Sequence, residues 1–75
     1  MKAKDRELYI ALAREVNRAQ KFGNDITIPV LELHGHLYRE TKHGPRWLMP
    51  SGHKTDSAAL AIATWTWIAD GGTDA

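Results

Sequence analysis

The chain has 75 residues, no cysteine and a formal net charge of +1. This length allows one domain with one small core, the lack of cysteine excludes disulfide bonds, and the nearly neutral charge lowers the expectation of phosphate binding. A composition with 43% hydrophobic and 25% charged residues is typical of a folded domain and argues against a disordered chain.

The chain begins with a polar segment and contains no apolar run of membrane-spanning length. Residues 1–7 are mostly charged, whereas a signal peptide would need an apolar segment there. The longest uncharged run, residues 57–69, is shorter than the roughly 20 residues that a membrane-spanning helix requires. We therefore expect a soluble, cytoplasmic protein with no membrane segment.

Residues 5–22 have the apolar spacing of an amphipathic helix. Its predicted apolar face contains Leu8, Leu12, Val16, Ala19 and Phe22, with Tyr9 and Ala13 beside them. Asp5 and Glu7 fall in the first turn, where the helix dipole favours acidic side chains, and Gly23 follows the end. The first predicted element is thus a helix.

A basic stripe lies on the opposite face of this helix. It consists of Arg14, Arg18 and Lys21, which are spaced at i, i+4 and i+7. One interpretation is a solvated face whose charges also suit the C-terminal end of the helix dipole. The other is a surface that faces an anion.

Residues 26–50 are predicted to form strands and a hairpin. Ile26, Ile28 and Val30 alternate with their neighbours as in a strand, although Pro29 would confine that strand to an edge or a bulge. The alternative is a short helix over Ile28–His34, with Thr27 as its cap and Pro29 in its first turn. That alternative would turn the N-terminal half into a helix-turn-helix.

The hairpin is predicted from two runs of aromatic and long side chains. Residues 36–40 and 46–49 read as strands that residues 41–45, which contain Gly44 and Pro45, connect. Gly35 is a candidate for an additional turn, which would make the sheet a three-stranded meander.

Residues 56–70 are predicted to form an apolar helix with a capped start, and residues 72–75 a frayed tail. One broad face of this helix contains Ala58, Ala61, Ile62, Trp65, Ile68 and Ala69. The other contains Ala59, Leu60, Ala63 and Trp67.

So short a chain has little with which to cover both faces of this helix. We therefore predict a homodimer with Ala59, Leu60, Ala63 and Trp67 at its interface. The alternative is a helix enclosed between the first helix and the sheet of its own subunit.

The tip of the hairpin is the loop with the strongest functional signal. Its candidate binding residues are Arg39, Lys42, His43, Arg46 and Trp47. Basic and aromatic side chains on a protruding turn suit a protein interface or a nucleic acid. In the structural interpretation, Tyr38 and Trp47 form a cross-strand pair and the charges keep the hairpin soluble.

The histidines are weak candidates for a metal site. His34 and His36 would share one face of a continuous strand, and His53 could add a third ligand. The spacing matches no known zinc motif, and Ser51 or Ser57 near His53 do not by themselves form a catalytic triad. We therefore expect no enzyme, no metal and no cofactor.

The sequence thus predicts one compact α+β domain over residues 1–75, with an N-terminal helix, a hairpin or meander and an apolar C-terminal helix. We expect a non-enzymatic intracellular protein that regulates or inhibits another protein by occupying its surface. The alternative is a DNA- or RNA-binding protein that uses the hairpin tip and the basic stripe.

Overall fold

A computed structural model describes residues 2–73 of the chain. The elements along the chain are α1 (Ala3–Lys21), α2 (Thr27–Leu37), β1 (Tyr38–Thr41), β2 (Gly44–Leu48), β3 (Lys54–Thr55) and α3 (Ala58–Ala69). The strands form one antiparallel sheet in the order β1-β2-β3. The predicted α+β class, with its N-terminal helix, hairpin and C-terminal helix, is confirmed.

The buried side of α1 differs in part from the predicted face. Tyr9, Ala13 and Val16 are buried, whereas Leu8 and Phe22 are exposed. Because α1 packs against both α2 and α3, these two neighbours decide which of its apolar residues are covered. The periodicity predicted the helix correctly, but it predicted more covered apolar residues than the structure buries.

Residues 27–37 form a helix, so the strand predicted over residues 26–31 is wrong. The helical alternative is confirmed and continues beyond its predicted end to Leu37. Pro29 lies in the first turn, where a backbone N–H has no partner within the helix in any case. Leu33 and Leu37, one turn apart, are both fully buried and hold α2 against the core.

The start of α2 is held by Asp25 and not by Thr27. The Asp25 carboxylate accepts hydrogen bonds from the Thr27 hydroxyl at 2.6 Å and from its backbone N–H at 2.9 Å. These bonds lower the pKa of the Asp25 carboxyl, the side-chain bond having the larger effect. Their contribution to stability is therefore present above the ordinary pKa of an aspartate and is lost as the pH falls through the lowered value.

The hairpin has a shorter connection than predicted. Lys42 and His43 alone join β1 to β2, and Gly44 follows with a positive φ of 102°. The Thr41 hydroxyl donates to the Gly44 carbonyl at 2.8 Å and accepts from the His43 N–H at 3.2 Å. The prediction that the first strand begins at residue 36 is wrong, since α2 continues to Leu37.

The third strand does not arise from a turn at Gly35. Gly35 lies inside α2, and the third strand is the pair Lys54–Thr55, which lies beside β2. The predicted three-stranded meander is therefore present, but its additional strand follows β2 and the predicted turn at Gly35 is wrong.

The core consists of side chains from all three helices. Its buried residues are Tyr9, Ala13, Val16, Leu33, Leu37, Ala61 and Trp65. The sheet is attached to this core through Trp65, whose Nε1 donates to the Leu48 carbonyl at 2.8 Å. Within residues 2–73, no helix combines the length and the apolar character needed to cross a membrane.

Helix α3 is slightly shorter than predicted and has the expected kind of start. Ser57 is the N-cap, and its hydroxyl oxygen accepts from the Leu60 N–H at 3.2 Å. Gly71 follows the helix with a positive φ of 101°, as expected of a glycine stop.

The frayed tail over residues 72–75 stays a prediction. The Gly72 N–H donates to the Trp67 carbonyl at 2.9 Å, so Gly72 is still attached to the end of α3. Residues 74 and 75 of that predicted tail lie outside the described residues.

Candidate functional site

The outer face of α3 is the first candidate site. Leu60 is 51% exposed and Trp67 is 54% exposed, and Ala59 and Ala63 are exposed beside them. On the opposite side of α3, Ala61 and Trp65 are fully buried. The predicted division of α3 into an inner and an outer face is therefore confirmed, whereas the dimer remains a prediction.

This outer face presents almost no polar group that requires water. There is no charged residue between Ser57 and Ala69. The Thr64 hydroxyl donates to the Leu60 carbonyl at 2.7 Å, and the Thr66 hydroxyl donates to the Ile62 carbonyl at 2.9 Å. Since both hydroxyls have partners within the helix, covering the face would leave neither donor without an acceptor.

The Trp67 side chain is held in place by the chain that follows α3. A Cβ atom added at Gly72 would lie 2.5 Å from the Trp67 ring, so the backbone of Gly72 packs directly against that ring. A ring already held on one side loses less conformational freedom on binding than a free one. Trp67 is therefore suited to anchor an interface.

At the hairpin, Arg39 has a structural role. Its guanidinium donates to the carbonyl oxygens of His36 at 2.9 Å and Tyr38 at 2.6 Å, and to the Tyr9 hydroxyl at 2.7 Å. These bonds connect β1 to α2 and α1. Arg39 thus lies at the base of the hairpin and not at its tip.

Trp47 also packs within the fold. Its ring contacts those of His34 and Tyr38, with centroid distances of 5.1 and 5.8 Å. Tyr38 is its direct cross-strand neighbour, so the predicted pair is confirmed. The Trp47 Nε1 is buried and has no hydrogen-bond partner among residues 2–73.

The exposed part of the hairpin tip is small. Lys42 and His43 are exposed, whereas Arg46 is half-buried and donates to the Pro45 carbonyl at 2.8 Å. Arg46 lies opposite Arg39 in the strand register. Of the five residues predicted to form the binding tip, the structure therefore leaves Lys42 and His43 fully available.

On β1, Tyr38 at the base of the hairpin and Glu40 form a hydrogen-bonded pair. The Tyr38 hydroxyl donates to a Glu40 carboxylate oxygen. This bond is the main cause of the raised pKa of Tyr38. The Glu40 carboxylate therefore already accepts a hydrogen bond from a residue of its own strand.

The basic stripe is exposed on α1 as predicted. Arg18 forms a surface ion pair with Glu15 at 3.4 Å, a contact of small energetic value at this exposure. Arg18 and Lys21 also line an open cleft of about 540 Å³, together with Asn17, Gln20, Phe22 and Asp70.

The charges of this cleft do not select a ligand. Arg18 and Lys21 lie in the last turn of α1, where cations are attracted by the carbonyl end of the helix dipole. Asp70 adds a carboxylate to the lining. The cleft therefore carries charges of both signs.

The histidines are not brought together. His34 and His36 lie on α2, where residues two apart project about 200° apart, so the shared face assumed for a strand does not exist. His53 lies in the loop before β3. Within residues 2–73, no group of three or more His, Cys, Asp or Glu side chains could hold a metal ion.

Comparisons with known proteins were made for the whole chain. Models of protein families, curated proteins and solved structures give no significant match. The function therefore has to be inferred from the residues of the chain itself.

Sequence reasoning missed the exposed side of α2. Ile28 is 76% exposed and Leu31 is 64% exposed. The strand interpretation placed Ile28 and Leu31 in opposite sets of the alternation and therefore concealed their shared surface. The spacing of Val30, Leu33 and Leu37 at i, i+3 and i+7 is the signal that could have revealed it.

Proposed function

We propose that this chain is a binding protein, not an enzyme, that self-associates through the outer face of α3 and acts by covering part of another protein. The observation that carries this proposal is the exposure of Leu60 and Trp67 on a helix without charge. Exposed apolar patches are characteristic of interaction sites, and tryptophan is among the residues that most often dominate binding energy.

The geometry of α3 suits an antiparallel pair around a two-fold axis. Leu60 and Trp67 lie about 5 Å along the helix on either side of the midpoint between Ala63 and Thr64. A two-fold axis at that midpoint therefore places Leu60 of each copy against the partner's Trp67. The small side chains of Ala59 and Ala63 allow the two helices to approach closely.

The expected dimer is weak. A helix of 12 residues is about 18 Å long, and two such helices bury less than the roughly 800 Å² per partner of a standard interface. We therefore expect a dimer that dissociates on dilution within the micromolar range.

Replacing Trp67 with alanine is expected to weaken self-association by at least about thirtyfold, because an anchoring side chain is lost from both copies. Sedimentation equilibrium over a series of protein concentrations measures this. The wild-type mass should rise from 8.4 kDa towards twice that value, and that of Trp67→Ala should remain at 8.4 kDa.

Phe22→Ala is the matched control, since Phe22 is an exposed aromatic residue at the end of α1 and is not part of α3. It should dimerise like the wild type. A wild-type mass of 8.4 kDa at every concentration would refute the dimer, as would equal weakening by Phe22→Ala.

The nucleic-acid alternative has less support from the positions of the basic residues. Helix α2 contains no lysine or arginine with which to contact phosphates or bases, and Arg39 is bound to oxygens of its own chain. We expect no retardation of a generic DNA duplex in a mobility-shift assay at low salt. Retardation that falls steeply with added salt and decreases in Lys42→Ala would favour the alternative.

A further inference from the structure

The outer side of α2 carries a second exposed apolar surface, separate from α3. Ile28 and Leu31 lie three residues apart, so their side chains are neighbours on one face of the helix. They are 76% and 64% exposed, whereas Leu33 and Leu37 on the inner side are fully buried. The core of the domain therefore leaves this pair uncovered.

Gly35 continues the same stripe, four residues after Leu31. It has no positive φ, and a Cβ atom added to it would meet nothing within 4 Å. The fold itself therefore does not require glycine here, although glycine inside a helix is less stable than alanine. A glycine beside exposed apolar residues does allow the backbone of another helix to approach closely.

The rim of this stripe is negatively charged. Asp25 lies at the start of α2 and Glu32 lies beside Leu31, and both carboxylates are exposed and without an ion-pair partner among residues 2–73. The hydrogen bonds from Thr27 lower the pKa of Asp25 and keep it ionised. Helix α2 has no lysine or arginine that could form an ion pair with either carboxylate.

We propose that the outer face of α2, formed by Ile28, Leu31 and Gly35, binds an amphipathic helix with a basic rim from a partner protein. The apolar side of that helix contacts Ile28 and Leu31, its backbone passes over Gly35, and its lysines or arginines pair with Asp25 and Glu32. Helix α2 is about 16 Å long, so it accommodates about three turns of the partner.

The charges favour this partner over a second copy of the chain. In an antiparallel pair of α2 helices, a two-fold axis near Leu31 would bring Glu32 close to the partner's Glu32. A basic helix has opposite charges at the same places. The inference rests on the proposed protein-binding function but concerns a different face from α3.

The test uses the full chain with Trp67→Ala, so that α3 does not contribute to binding. Two model peptides of about four helical turns have the same leucine stripe and differ only in lysine or glutamate at the flanking positions. Isothermal titration calorimetry measures their affinities. We expect the lysine peptide to bind at least about tenfold more tightly than the glutamate peptide.

Gly35→Ala is the most informative substitution, because its expected effects on stability and on binding are opposite. It should raise the melting temperature by about 4 °C or more and yet weaken binding of the lysine peptide by about fivefold, because the added methyl group separates the helices. Leu31→Ala should weaken binding about tenfold. Leu60→Ala, which removes an exposed leucine from α3, should leave the affinity unchanged.

Three results would overturn the inference. The first is equal affinity for the two peptides, and the second is equal weakening by Leu60→Ala and Leu31→Ala. The third is loss of self-association in Leu31→Ala without Trp67→Ala, which would assign the α2 face to a second copy. The first two concern peptide binding alone and leave the mass measurements on Trp67→Ala intact. In the third, Trp67→Ala still dimerises if α2 is the whole interface, whereas it stays at 8.4 kDa if α3 takes part, so a failure here is distinguishable from a failure of the α3 dimer.

Discussion

Replacing Trp65 with alanine is expected to remove about 3–5 kcal/mol from the free energy of unfolding. Trp65 is fully buried, and its Nε1 donates to the Leu48 carbonyl at 2.8 Å. Its ring packs edge-on against Tyr9 at a centroid distance of 5.3 Å, and the Arg6 guanidinium lies 5.9 Å from the ring centre. One side chain thus joins α3, α1 and the end of β2.

For a domain of this size, such a loss approaches the total stability, which is about 4–11 kcal/mol at ordinary values per residue. Urea unfolding followed by far-ultraviolet circular dichroism measures the loss. Trp67→Ala is the control on the same helix, and it should change the free energy of unfolding of the monomer by less than about 1 kcal/mol because Trp67 is half exposed. Similar losses in the two variants would contradict the assignment of the faces of α3.

Replacing Leu33 with alanine is expected to destabilise the domain by about 2–5 kcal/mol, because Leu33 is fully buried in the core and alanine would leave a cavity. Ile28→Ala should change stability by no more than about 0.5 kcal/mol, since Ile28 is 76% exposed. The same urea experiment measures both variants.

This pair of substitutions also separates the two interpretations of residues 26–34. In a strand, Ile28 would belong to the buried face with Ile26 and Val30, and its replacement would have the larger effect. In the helix, Leu33 has the larger effect. The reverse order of losses would therefore contradict α2.

Helix α3 and the hairpin could be predicted because local signals agree with one another there. The run from Ser57 to Ala69 is uncharged, has a serine at its start and is followed within two residues by Gly71. At the hairpin, Gly44 supplies a positive φ next to the turn. Where cap, period and turn residues point to the same element, sequence reasoning is reliable.

The local signals in the α2 segment conflict, so they could not decide between a strand and a helix. The alternation of Ile26, Ile28 and Val30 has the period of a strand, and Pro29 is a poor helix residue except in the first turn. Burial of Leu33 and Leu37 decides in favour of the helix, and that burial depends on α1 and α3. Tertiary packing overrode the propensity of the segment.

The contacts that Arg39 and Trp47 make with the helices could not be predicted from the sequence either. Both belong to the hairpin, and the pattern of side chains along its strands does not indicate which face of the sheet packs against the helices. Arg39 turns towards the Tyr9 hydroxyl on α1, and Trp47 packs on His34 of α2. Because the sequence left open whether His34 lies in a strand or at the end of a short helix, that contact could not be foreseen.

The three tryptophans occupy three different surroundings, which makes the intrinsic fluorescence of the chain informative. Trp65 is fully buried, Trp47 contacts the rings of His34 and Tyr38, and Trp67 is about half exposed to solvent. Variants that keep a single indole would report global denaturation from Trp65, opening of the sheet from Trp47 and association from Trp67. An emission shift on dilution in the Trp67 reporter alone would thus reveal subunit separation without loss of structure.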